Sequence, residues 1–149
     1  MDIVDYLEAL EKIDIQDAAE KTILKTKKEL ADLNREQLGE GLLSTNDKIH
    51  WLADDHYPYV KPYARRRQNL GLQTDVVDLK VNGSFWDSID VVPEGDEMIF
   101  FSQNEIAQYL EGNYGKEIYG LTDAELDKYI EEDFEEPFYE ELNVQSGLF

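Results

Sequence analysis

The sequence predicts a small α+β domain, and three observations carry that prediction. Apolar residues recur at helical spacing from residue 3 to residue 33, and no proline interrupts the chain before Pro58. Alternating apolar residues flank an Asn82-Gly83 pair. Two Ser/Thr-x-x-Glu boxes then follow the alternating region. At 149 residues, with 42% apolar side chains, the chain is one domain's length and can bury a real core.

Residues 1–40 are the helical part. Ile3, Leu7, Leu10 and Ile13 make one apolar stripe; Ile15, Ala19, Ile23, Leu30 and Leu33 make a second. At about 100° per residue the stripes point roughly 170° apart, so one straight helix would bury opposite faces. A break near Asp14 resolves the conflict, with Asp14 capping the second helix and Gly39 and Gly41 ending it. Lys21, Lys25, Lys27, Lys28 and Glu29 form its solvated face.

Residues 42–75 have weak periodicity. The prolines in Tyr57-Pro58-Tyr59-Val60-Lys61-Pro62-Tyr63 push the backbone toward extended conformations, so a long ordered arm is expected here. Residues 76–101 predict an antiparallel meander. Val77, Leu79 and Val81 alternate into the Asn82-Gly83 turn; Phe85, Ile89 and Val91 lie on one face; Pro93-Glu94-Gly95-Asp96 turns again into Met98-Ile99-Phe100-Phe101. Helices over 103–130 start at Ser102-Gln103-Asn104-Glu105 and Thr122-Asp123-Ala124-Glu125. The first carries Ile106, Tyr109 and Leu110 and stops at Gly112; the second carries Leu126, Tyr129 and Ile130. Residues 131–149 alternate carboxylates with rings and read as an extended acidic arm with no core of its own.

Charge narrows the function. The formal net charge is -20, and residues 82–149 hold 18 acidic side chains against 2 basic ones. That half would repel a phosphate backbone, so a complementary protein surface is the expected partner. There is no apolar run of membrane-spanning length and no basic-then-apolar leader at the N-terminus, so a soluble protein made in a cytoplasm is expected, with no membrane partner. With zero cysteines, disulfides and thiolate metal sites are excluded.

No phosphate loop, dinucleotide fingerprint, nucleophile elbow or paired-histidine helix occurs, and no catalytic residue, cofactor or metal ligand is assigned. His50, Asp54, Asp55 and His56 admit a metal reading, but Asp-rich loops beside tyrosine are more often turns and caps. The chemistry-bearing candidates are instead interaction residues. Tyr57, Tyr59 and Tyr63 interleave with Lys61, Arg65, Arg66 and Arg67, a pattern suited to DNA in a channel or, preferably, to an acidic protein surface of this or an adjacent subunit. Phe134, Phe138, Tyr139 and Phe149 are costly to leave in water and point to an arm docking on a neighbour.

From about Arg35 to Phe101 the order of features resembles the virion-morphogenesis or tail-completion proteins, the neck family of tailed bacteriophages. The matching residues are Gln37 to Gly41 at the helix end, the tyrosine- and basic-rich Tyr57 to Arg67, and Leu79-Lys80-Val81-Asn82-Gly83-Ser84-Phe85-Trp86-Asp87-Ser88. Asn82 stands where that family usually has threonine or serine. The resemblance implies a non-enzymatic virion protein at the head–tail junction, forming a homo-oligomeric ring. Portal or adaptor and tail proteins of the same phage would be its partners, with possible contact to DNA in the channel. The alternative from composition is an acidic DNA mimic that inhibits a host nuclease or DNA-binding protein.

Overall fold

The computed structural model describes residues 2–51 and 57–148. The chain enters through α1 (Ile3–Glu11) and then α2 (Ile15–Gly39). Their boundary is the Asp14 cap, whose carboxylate accepts the Asp17 N–H at 3.0 Å. Gly41 turns the chain off α2 at φ +76°, and a Cβ there would lie 2.7 Å from the Val76 Cβ. Conformation and space both demand glycine at that point.

Helix α2 organises two apolar clusters. One gathers Ala31 and Leu38 with Ile49, Tyr59, Val77, Phe85, Ile89, Leu110 and Ile118. The other gathers Ile23, Leu30 and Leu33 with Val91 and Tyr129. Between them lies a hairpin of β1 (Ile89–Glu94) and β2 (Glu97–Ser102), antiparallel, with Glu94 opposite Glu97. Gly95, at φ +59°, opens its two-residue turn. Ile89 and Val91 alternate inward against α2, and Phe100 touches both clusters.

A polar clamp joins the two. Asn34, fully buried, donates from Nδ2 to the Ile118 carbonyl at 3.0 Å and accepts the Gly120 N–H on Oδ1 at 3.1 Å. One turn on, Gln37 donates to the Gly120 carbonyl at 3.1 Å and accepts the Thr122 N–H at 2.9 Å. Two amide side chains thus pair with one edge of the 118–122 segment as a neighbouring strand would.

The structure corrects four expectations. Within the expected arm, Lys61–Asn69 is a helix, α3. Pro62 sits in its first turn, where the missing N–H has no partner to lose and the fixed φ suits the helix. Residues 76–83 form no strand. Leu79 takes φ +60°, the Asp78 carboxylate accepts the Lys80 N–H, and Asn82 Oδ1 accepts the Ser84 N–H at 2.9 Å. These local bonds replace a ladder, and Gly83 at φ +85° starts a short helix, α4 (Ser84–Ser88), where a hairpin turn was expected. The described residues therefore hold a two-stranded sheet.

The box at Ser102 does not cap a helix. Ser102 ends β2, and α5 (Ala107–Tyr114) begins later, without a side-chain cap, and runs through Gly112 to Gly115. Thr122 does cap α6 (Asp123–Tyr129), accepting the Glu125 N–H at 3.3 Å, while its own N–H goes to Gln37. Finally, the acidic segment is helical. A π turn (Ile130–Phe134) leads into α7 (Glu135–Ser146), which folds back on its own chain. Phe134 packs 5.9 Å from Tyr129, and Phe138 stacks 5.0 Å from Phe134. Glu141 pairs with Lys25, and the Gln145 side chain accepts the Asp14 N–H and donates to Asp17. These rings have apolar surface to meet within the same subunit, so no neighbour is required to cover them.

Replacing Asn34 with leucine takes the side-chain partner from the buried Ile118 carbonyl and from the partly buried Gly120 N–H. Urea denaturation of Asn34→Leu should show a loss of about 2–4 kcal/mol; a loss below about 0.5 kcal/mol would mean that the clamp is dispensable.

Candidate functional site

The expected basic cluster divides in two. Arg67 is not a surface cation: it is 2% exposed, its Nη2 lies 3.0 Å from Asp78 Oδ1, and it also donates to the Gln73 and Lys80 carbonyls at 3.0 and 2.7 Å. Its guanidinium stacks 4.5 Å over the Tyr59 ring, which is itself buried. The pair is satisfied on every side, as a buried ion pair must be. Sequence order groups Arg67 with its neighbours; helical geometry separates it from them. On α3, Tyr63, Ala64 and Arg67 turn inward while Lys61, Arg65 and Arg66 stay exposed.

None of those three exposed cations is ion-paired with a described acidic side chain. Pairing with this subunit's own acidic segment is therefore not formed by them. Tyr57 is exposed at the entrance to α3. In the C-terminal segment Phe134 and Phe138 are half-buried as described, Tyr139 is 60% exposed, and Phe149 lies outside the described residues. Asp54, Asp55 and His56 of the metal reading also lie outside them, and His50 stacks on Tyr114 at 4.7 Å. Among the described residues no three His, Asp or Glu side chains are grouped to hold a metal ion.

Two further features extend beyond those candidate residues. The first is a cavity of about 390 Å³ between α3, the 77–85 segment and α5. Tyr59, Tyr63, Tyr109, Tyr114 and Phe85 supply its aromatic walls. By spacing, Tyr109 and Leu110 form one core stripe with Ile106; Leu110 is buried, but Ile106 and Tyr109 are 44% and 69% exposed at the cavity. No pattern in the sequence distinguishes a core stripe from a cavity wall, because both are apolar at helical spacing.

The second is α1. Its apolar stripe does not enter the core: Ile3, Val4, Leu7 and Leu10 are 74%, 57%, 52% and 37% exposed, and Ala9 is the residue that faces inward. Asp5 and Glu8 flank the stripe. An amphipathic helix with its apolar face in water is an unfinished contact.

No described helix is long and apolar enough to cross a membrane. No family of proteins, no curated protein and no solved structure matches this chain.

Two outcomes follow from the geometry. Arg67→Ala strands the Asp78 carboxylate in the core and should cost about 3–5 kcal/mol in denaturant melts, whereas Arg65→Ala and Arg66→Ala should each stay within about 0.5 kcal/mol. Burial, then the Asp78 charge, pushes the Tyr59 phenol up to about 12 from 10.0. Between those values the unfolded chain has released a proton that the fold still holds. Its stabilising share is thus complete below pH 10 and lost as pH rises toward 12. Unfolding curves measured across this window should fall less steeply for Tyr59→Phe than for the parent.

Proposed function

We propose that the protein is a non-catalytic assembly subunit, an adaptor that joins neighbouring proteins through α1 and works at the head–tail junction of a tailed phage virion. The exposed apolar face of α1 carries this reading. Ile3, Val4, Leu7 and Leu10 leave a contiguous apolar stripe in water on one helix, and a partner surface would bury it. The resemblance of residues 35–101 to phage neck proteins supplies the setting: a closed ring whose contacts are portal or adaptor and tail proteins. The exposed cations of α3 supply a second polarity on a chain of net charge -20, suited to the acidic face of an adjacent subunit or to DNA passing through the ring. Phe134 and Phe138 are given no docking role in this reading, since they pack against Tyr129 and each other within the same chain.

The acidic DNA mimic remains the second reading, and one observation favours it. Glu131, Glu135, Glu136 and Glu140 line a single furrow along the π turn and α7, a run of negative charge on one helical face. Burial and the charges of Glu29 and Glu132 hold the nearby Asp133 carboxyl above its ordinary value, as crowded acids should.

Native mass spectrometry of the protein, alone and with the portal and tail proteins that a phage setting would supply, separates the two. The adaptor reading expects a closed oligomer or a stoichiometric complex, and Ile3→Asp with Leu7→Asp should abolish it while shifting monomer stability by no more than about 0.5 kcal/mol each. A monomer that ignores virion proteins and instead binds a basic nuclease would sink the adaptor and favour the mimic.

A further inference from the structure

The cavity between α3, the 77–85 segment and α5 has the size of a small-molecule site: about 390 Å³, within the roughly 300–1,000 Å³ range of ligand pockets. Its walls are rings. Tyr59 and Tyr63 meet edge to face at 5.5 Å, and His50 stacks on Tyr114 on another side. Such surfaces favour a planar aromatic occupant, which gains stacking and edge contacts beyond plain burial. Burial also raises the Tyr114 phenol, consistent with a dry wall.

The charge of the lining selects among aromatic compounds. On a chain with 34 acidic side chains, no described residue of the lining is Asp or Glu. Two strong cations do line it, Arg67 and Lys80. The charge of Arg67 is consumed by Asp78 at 3.0 Å. Lys80 is different: its Nζ rests 4.9 Å over the Trp86 ring and pairs with no described carboxylate. The Asp87 carboxylate and the Lys80 Cε lie 3.9 and 4.0 Å from where a Gly83 Cβ would stand, yet no ion pair joins them. The remaining polar groups of the lining that can donate to an anion include Ser84 and Asn113.

We infer that this cavity is a binding site for a small planar aromatic compound bearing one anionic group, its ring held among Tyr59, Tyr63, Tyr109 and Tyr114 and its charge turned to Lys80. The site is independent of the α1 face and of the adaptor reading. A cationic aromatic would meet Lys80 with like charge, and an aliphatic anion would forgo the rings.

Three probes of one shape test this: naphthalene-2-sulfonate, neutral 2-methylnaphthalene and 2-naphthylmethylammonium, each titrated into the full chain and followed by amide chemical shifts. The sulfonate should bind at one site, moving the resonances of Lys80, Tyr109 and Leu110, several-fold more tightly than the neutral ring, with the ammonium weakest. Lys80→Gln should reduce the sulfonate's affinity to that of the neutral probe. Val81→Trp, at a wall position that is 52% exposed, should weaken all three by blocking the space while leaving the melting curve near that of the parent. Tightest binding of the ammonium overturns the assignment. So do sulfonate-induced shifts centred on α1, or a Lys80→Gln protein that keeps the full preference for the sulfonate.

Discussion

The pairing of Asn34 and Gln37 with the 118–122 segment is the constraint on which the rest of the structure depends. A carboxamide presents one acceptor and a donor pair in the arrangement of a peptide group. Two of them spaced three residues apart on α2 therefore pair with alternate backbone groups at Ile118, Gly120 and Thr122. Net, each bond is worth only about 1 kcal/mol. Their larger effect is exclusion: any other seat for this segment would bury the same amides and peptide groups unpaired. Gly120 takes φ +104°, and a Cβ there would come within 3.3 Å of Ser44, so the segment must pass this close to the loop after α2.

Once that segment is seated, both clusters are determined. Ile118 and Tyr119 enter the cluster that holds Leu38, Phe85 and Leu110. Thr122, with its N–H already bonded to Gln37, caps α6 and aims Tyr129 at Leu30 and Leu33. The Tyr129 hydroxyl then meets the Thr26 hydroxyl of α2, 2.6 Å away. From there α7 returns along α2 to Glu141 and Gln145. The C-terminal segment is thus positioned by a clamp whose amides lie roughly a hundred residues earlier in the chain.

Local signals are legible in the sequence and long-range ones are not. The Asp14 cap, the Gly41 turn, the Gly95 hairpin and the Thr122 cap each rest on a few adjacent residues with one favoured conformation, and each is readable. The Val77 to Val81 alternation misleads because Asp78, in the place of a strand's outward residue, is a buried partner of Arg67. Pro58 and Pro62 suggest extended backbone through their effect on the preceding residue, while Pro62 acts through its own φ in the first turn of α3. Asn34 and Gln37 look like ordinary polar residues of a solvated face. Nothing local marks an amide whose partners lie 83 to 86 residues away. The candidate sites suffer likewise: the basic run is visible, but its division into one buried and three exposed cations is a property of helical phase.

The same architecture sets how the two exposed apolar features relate. Helix α1 packs beside α7 at the end of α2 that carries Asp14 and Lys25. The cavity adjoins the other cluster, around Phe85 and Leu110, near the Gln37 end of α2. Changes at sites that share no partners act additively, so occupancy of one place does not of itself alter the other. Coupling would have to run through what both clusters touch, which is α2 itself and the Phe100 ring. A coupling free energy needs an element that can rest in either of two states. The proposed assembly surface and the proposed ligand cavity are therefore lined by separate sets of residues on the two sides of this fold.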